Sequence, residues 1–170
     1  MRSKVIAFLA LAFLASCATP PATPTVDANG NPLPAVYRIP AREKNAVQLR
    51  MLDGVNAIRT GAGLPDLQFS SSLNAAAATH SRDMAFQNRP WHFGSDGSSP
   101  IDRATRAGFE GTLLGENISE TYETELQTLA AWMNDPATRT VILEPDARQL
   151  GFEWHQESNG KLWWTLVTGT

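Results

Sequence analysis

The sequence predicts an α+β domain in which an antiparallel sheet lies between layers of helix, and three observations carry that expectation. Apolar residues recur at helical spacing in successive segments between Val47 and Met133. From Gln149 the period shortens to that of strands, with a turn signal between two runs. The second run, Leu162–Val167, is apolar on both alternating faces, as a strand with layers on both sides must be.

Taken in order, Ala41–Thr60 reads as an amphipathic helix, with Val47, Met51, Val55 and Ile58 on one stripe and Gly61-Ala62-Gly63 ending it. A short strand is expected over Asp66–Phe69. Ser70-Ser71-Ser72 then caps a second helix from Leu73 to about Phe86, in which Leu73, Ala76, Ala77, His80 and Met84 share a face. Ser99 followed by Pro100 opens a short helix reaching Ala107. Glu123–Asn134 is expected to be helical, with Leu126, Leu129, Ala130 and Met133 buried and Glu123 and Glu125 at the positive end of its dipole. Gln149–Gln156 and Lys161–Thr168 are the two strands, joined through Ser158-Asn159-Gly160. There is no internal repeat.

Ahead of the domain, residues 1–16 have the order of an export signal: Arg2 and Lys4, then an apolar run from Val5 to Ala15. That run is shorter than the ~20 residues a membrane-spanning helix needs. It closes in Leu14-Ala15-Ser16-Cys17, which resembles the lipobox of bacterial lipoproteins. The resemblance implies cleavage before Cys17, lipidation of Cys17 and acylation of the new amino terminus. The partner so implied is a lipid bilayer, held through the acyl chains. Ala18 follows the cysteine, a pattern resembling that of lipoproteins sent to the outer membrane, facing the periplasm of a Gram-negative cell. An ordinary export signal with a chance cysteine is the alternative. Residues 17–40 then read as the lipidated cysteine and a Pro-rich tether, with six of the chain's 11 prolines. Val36–Ile39 has the alternative of docking on the domain as an edge. The domain itself is expected over 41–170.

Composition excludes several classes. The 170 residues suit one domain. A single cysteine rules out an internal disulfide. Lys and Arg total 14 against 17 Asp and Glu, and basic residues never cluster in runs longer than two, so no nucleic-acid partner is expected. Removal of the signal carries away Arg2 and Lys4 and leaves a charge of −5.

Four segments then follow one another: Ala76–Ala85, with Thr79-His80-Ser81-Arg82 at its centre; Trp91-His92-Phe93-Gly94-Ser95-Asp96-Gly97; Gly115-Glu116-Asn117-Ile118; and Trp132-Met133-Asn134-Asp135-Pro136. Their order and spacing, with Pro100, Asp102 and Arg103 and the Trp163-Trp164 strand, resemble the CAP superfamily of cysteine-rich secretory, antigen 5 and pathogenesis-related proteins. The likeness is greatest to its bacterial, disulfide-free branch and covers about Val47–Gly169. The resemblance implies a three-layer α-β-α sandwich with a cleft lined by two histidines and two glutamates. His92 matches the first histidine and Glu116 the first glutamate. Asp135 stands where many members have the second glutamate, and Thr138 where bacterial relatives have the second histidine, so the set is incomplete.

No cofactor is expected, and a divalent metal would have only His92, Glu116 and Asp135 to hold it, short of a good zinc set. Three roles remain open for His92 and Glu116: bracing the loops of the cleft, touching a ligand, or moving a proton. The leading expectation is a membrane-anchored, exported, non-enzymatic module of the cell envelope that binds a lipid, a glycan or an envelope protein. The alternative is an envelope hydrolase using His92 and Glu116. His80 is expected in or near the core, His155 at the surface, Asp96-Gly97 in a turn, and Trp154, Trp163 and Trp164 in the core.

Overall fold

The apolar stripe of the first helix meets the sheet that the tail of the chain forms, and that meeting organises the domain. The computed structural model describes residues 36–170. The expected signal peptide, Cys17 and most of the tether lie outside the described residues. After a 3-10 turn at Ala41–Glu43 come α1 (Lys44–Gly61), β1 (Gln68–Phe69), α2 (Ser71–Gln87), α3 (Pro100–Arg106), β2 (Leu113–Thr121), α4 (Glu125–Asn134), α5 (Pro136–Ile142), β3 (Gln149–Gln156) and β4 (Leu162–Gly169).

The sheet runs β1-β3-β4-β2. β4 is antiparallel to both β3 and β2, as the hairpin pattern requires, while the two-residue β1 adds to β3 in parallel. β4 is buried along its whole length, so helices do cover both faces. On one face Met51, Val55, Leu129, Trp132 and Ile142 from α1, α4 and α5 pack against Phe152, Leu162, Trp164 and Leu166. On the other, Leu73, Ala77, Ala104 and Phe109, contributed by α2, by α3 and by the segment after it, pack against Val167. Gly151 permits this second layer: a side chain there would collide with the backbone of Leu73. The aromatic residues follow the expectation, with Trp163 and Trp164 fully buried and Trp154 packed at the margin of the larger core. His155 is half-buried on β3.

Besides β2 and α5, which the sequence reading did not place, three features differ from it. α4 turns its buried stripe to Glu125, Thr128, Leu129 and Trp132, leaving Leu126 and Ala130 off it, with Leu126 exposed. Trp132 offers the larger apolar area and its Nε1 donates to the Ile118 carbonyl at 3.2 Å, which fixes the rotation. Thr124 is the cap of α4, so Glu123 lies outside the helix and Glu125 alone sits in its first turn. Val36–Pro40, assigned to the tether, packs on the domain without forming a strand: Ile39 N donates to Gln156 Oε1 at 3.0 Å and Gln156 Nε2 donates to Tyr37 O at 2.8 Å. Residues 36–40 therefore pack on the domain rather than leading away from it.

A buried arginine is the third difference. Arg59, on the inner side of α1, is fully buried and donates to the carbonyls of Pro65, Ile142, Glu144 and Ala147. It ties the ends of α1 and α5 to the start of β3. Burial pushes its pKa below the usual arginine value.

Candidate functional site

β2 is the edge strand beyond β4, and its alternation decides which side chain meets which layer. Glu116 pairs in register with Val167 and so faces α2 and α3. Its neighbour Asn117 pairs with Leu166 and faces α1, α4 and α5.

The Glu116 carboxylate is only 3% exposed. Arg103 reaches it from α3, and the sequence positions that arginine by capping. Ser99 accepts from Asp102 N while Asp102 accepts from Ser99 N, and Pro100 starts the helix, so Arg103 follows directly after the capping box, in the last turn of this short helix. Its Nη2 donates to both carboxylate oxygens at 3.0 and 2.7 Å, and its Nη1 donates to the carbonyls of His92 and Ser98 at 3.0 and 3.1 Å. His92 Nδ1 lies 2.9 Å from Glu116 Oε1, with half of the imidazole open to solvent. His80, fully buried on α2, donates from Nε2 to the Trp91 carbonyl at 2.9 Å and stands 3.7 Å from Glu116 Oε1. Burial lowers its pKa; the Glu116 charge opposes the shift and the Arg103 charge adds to it.

The site is thus a buried carboxylate held between an arginine and two histidines. Beside it runs a groove of about 340 Å³ lined by His92, Ser99, Pro100, Ile101, Leu113 and Leu114, with Gly115 and Glu116 at its base. The Ser99 hydroxyl belongs to the cap of α3: it donates to Asp102 Oδ2 at 2.7 Å and accepts from Asp102 N. His92 Nε2 makes no hydrogen bond among the described residues and is the polar handle of a largely apolar groove. A second cavity of about 400 Å³ lies between α2 and α3. Its polar groups largely satisfy one another: Ser95 donates to Asp83, and Arg106 to Asp96. Hydrogen bonds from Ser98, then Arg106, hold the Asp96 carboxyl well below the usual carboxylate range. Asp96-Gly97 is the expected turn, with Gly97 at a φ of 79°.

Asp135 and Thr138 do not join this site. Asp135 caps α5, accepting from Ala137 N at 2.8 Å, and Thr138 Oγ1 donates to the Trp132 carbonyl at 2.7 Å. The Thr138 carbonyl accepts from Asn117 Nδ2, so this segment packs on the face of the sheet opposite to Glu116. Among the described residues no three His, Cys, Asp or Glu side chains converge as a metal site. The set His92, Glu116 and Asp135 is therefore not assembled, and the Arg103 guanidinium on Glu116 would repel a cation. Sequence reasoning gave Arg103 only as part of the family pattern and His80 as a core or near-core histidine, and assigned neither to the site. Their signal was a buried-face histidine and an arginine one turn into a capped helix, both awaiting a carboxylate.

Comparison with known proteins decides the family. The model of the cysteine-rich secretory protein family, CAP, matches residues 52–168. The chain belongs to the CAP family. It is 31% identical over 125 residues to the uncharacterized protein YkwD of Bacillus subtilis, an overlap of 74% of this chain but 46% of that relative. The chain thus spans just under half of YkwD. An outer surface protein of Borrelia burgdorferi has the same fold, with a TM-score of 0.70 over 79% of this chain and 97% of that one at 16% identity. An extracellular SCP-domain protein of Bacillus anthracis gives 0.68 at 22% identity, over 79% of this chain and 45% of its own. The three-layer α-β-α sandwich is the fold of this CAP domain. Of the four cleft residues that the family resemblance implies, it brings together only His92 and Glu116, and Arg103 and His80 complete the cluster around the carboxylate.

Proposed function

We propose that this chain is an exported lipoprotein, anchored through acylated Cys17, whose CAP domain binds an apolar ligand in the His92 groove without turning it over. The observation that carries the reading is the grip of Arg103 on Glu116. A general base needs a carboxylate or imidazole free to take a proton. Here the carboxylate is already committed to the Arg103 guanidinium, which leaves His92 Nε2 as the open proton acceptor of the groove, and the hydroxyl of Ser99, which lines the groove with it, is taken up in the cap of α3. Pro100, Ile101, Leu113 and Leu114 beside one polar imidazole suit a lipid tail with a hydrogen-bonding head better than a glycan. The lipobox-like Leu14–Cys17 segment supports the anchor, and Ala18 supports the outer membrane as its destination in a Gram-negative cell.

Native mass spectrometry of residues 18–170 from the periplasm tests the ligand. An adduct of lipid mass that is lost in Ile101→Asp is the expected result; a glycan adduct, or a bare chain offered lipid, overturns the lipid assignment. The hydrolase alternative draws on the 2.9 Å His92–Glu116 contact. It requires that His92→Ala abolish hydrolysis of an envelope ester or peptide while the melting temperature barely moves. For the anchor, Cys17→Ser is expected to move the protein from the membrane to the soluble fraction.

A further inference from the structure

The tether enters the domain at an end that carries exposed aromatic and basic side chains. Val36 packs on Gly160 in the β3–β4 turn, and Arg38 donates to the Glu157 and Ser158 carbonyls of the same turn. On the other side of that turn Lys161 Nζ donates to Asn88 Oδ1 at 3.1 Å, and Asn88 is the C-cap of α2. β2 ends here too, since Thr121 pairs with Leu162. Tether entry, hairpin turn, the end of β2 and the end of α2 thus share one end of the domain.

Large apolar side chains are exposed there: Phe86 at 83%, Tyr122 at 54% and Val36 at 44%. Phe86 lies on the face of α2 opposite to Leu73, Ala77, His80 and Met84, and Arg82, four residues earlier, shares that face. Arg89 follows three residues later, its guanidinium 3.8 Å over the Trp91 ring, and Trp91 in turn leans on exposed Phe93. Of the acidic groups at this end, Glu120 pairs with Lys161 at 2.8 Å, Glu157 accepts from Trp163 Nε1 at 2.7 Å and Asp83 accepts from Ser95, while Glu123 forms no ion pair among the described residues. Arg82 and Arg89 form no ion pair among the described residues. In a mature chain of charge −5, this stripe sets two arginines without an ion pair beside exposed aromatic rings.

We propose that the Arg82–Phe86–Arg89–Trp91 stripe docks the CAP domain on the surface of the bilayer that holds its anchor. Aromatic rings settle at the headgroup level and arginines favour anionic headgroups. Only 18 residues separate Cys17 from Val36, so an anchored domain meets the bilayer at high effective concentration and a weak surface affinity suffices. The inference rests on the anchoring proposal above, and its test supplies the anchor chemically.

Residues 17–170 are coupled through the single thiol, Cys17, to a maleimide lipid in vesicles of phosphatidylethanolamine and phosphatidylglycerol, with the phosphatidylglycerol brominated. Trp132, Trp163 and Trp164 are buried and Trp154 is half-buried, and all four remain in Trp91→Phe, so the emission lost in that variant isolates the ring at the stripe. The expected result is loss of that emission on brominated vesicles relative to unbrominated ones, with the loss abolished in Phe86→Asp/Arg89→Glu. Both substituted side chains are exposed, and an unchanged melting temperature verifies the fold of the variant. Equal Trp91 emission on the two vesicle types overturns the proposal and leaves the stripe to a protein partner. Quenching that persists in the double variant overturns it as well. Failure of natural acylation, read from Cys17→Ser fractionation, leaves this result standing.

Discussion

Glu116 sits where water cannot solvate its charge, so the balance comes from its protein neighbours, and two of them lend themselves to a graded test. Arg103→Met keeps most of the apolar stem but leaves a buried carboxylate facing imidazoles alone, at an expected cost of about 3–5 kcal/mol. His92→Ala removes a half-exposed partner and is expected to cost about 1–2 kcal/mol. Urea midpoints at constant m-value rank the two; an Arg103 variant no worse than the His92 variant would refute the bracing role of the guanidinium. His80 adds a pH dependence whose sign follows from its lowered pKa. Glu116, Arg103 and Asp83 surround it, and burial dominates, so the folded protein holds it neutral where the unfolded chain would bind a proton. Its contribution is fully present above the unfolded value of about 6.5 and is lost as pH falls below it. The urea midpoint of the wild type should therefore drop more steeply than that of His80→Gln between about pH 7 and pH 5. Parallel profiles would contradict this.

At the scale of single elements, α5 shows how a residue of the expected cleft set acts as a cap. Asp135 accepts from Ala137 N, so Asp135→Ala should lower stability by about 1 kcal/mol while Asp135→Asn keeps the cap. Ligand retention in the His92 groove, followed by native mass spectrometry, should be the same in both; a loss in Asp135→Ala would return Asp135 to the site. α1, α2 and the hairpin were legible because one face of each is a nearly uninterrupted apolar series, and because Ser70 announces α2. β2 was not legible as a strand. Its central positions carry Glu116 and Asn117, buried polar groups whose partners, Arg103 and the Thr138 carbonyl, lie 13 and 21 residues away. Polar side chains at those positions erase the period-2 signal that apolar ones would leave. α5 was hidden for a related reason, since Pro136 directly after α4 reads as a stop until Asp135 is seen to cap a new helix. The His92–Glu116 pair was readable from the family pattern. That the sheet itself divides Glu116 from Thr138 follows only from the register of β2 on β4.

For the whole molecule, residues 36–40 determine how firmly the domain holds the chain that leads into it. Tyr37 donates its hydroxyl to Glu125 Oε2 at 3.0 Å, beside the Arg50 Nε contact to Oε1, and both Tyr37 and Ile39 pack against the larger core. Glu125 is itself buried, so losing the tyrosine leaves one carboxylate oxygen without its donor. Burial and the Glu125 contact raise the Tyr37 pKa, which keeps its hydroxyl a donor well into alkaline pH. A chain beginning at Ala41 should therefore be less stable than one beginning at Val36 by about 2–4 kcal/mol, from the lost apolar burial and the unpaired carboxylate together. Tyr37→Phe within the longer chain should recover most of the packing and lose only about 1–2 kcal/mol. Calorimetric melting of the three proteins separates these contributions. If the chain starting at Ala41 melts with the longer one, residues 36–40 belong to the tether and the exit point is loose. If it melts lower, as expected, these residues clamp the tether to the β3–β4 turn. The exit point then stays fixed beside the end of α2, as docking of that end on the bilayer requires.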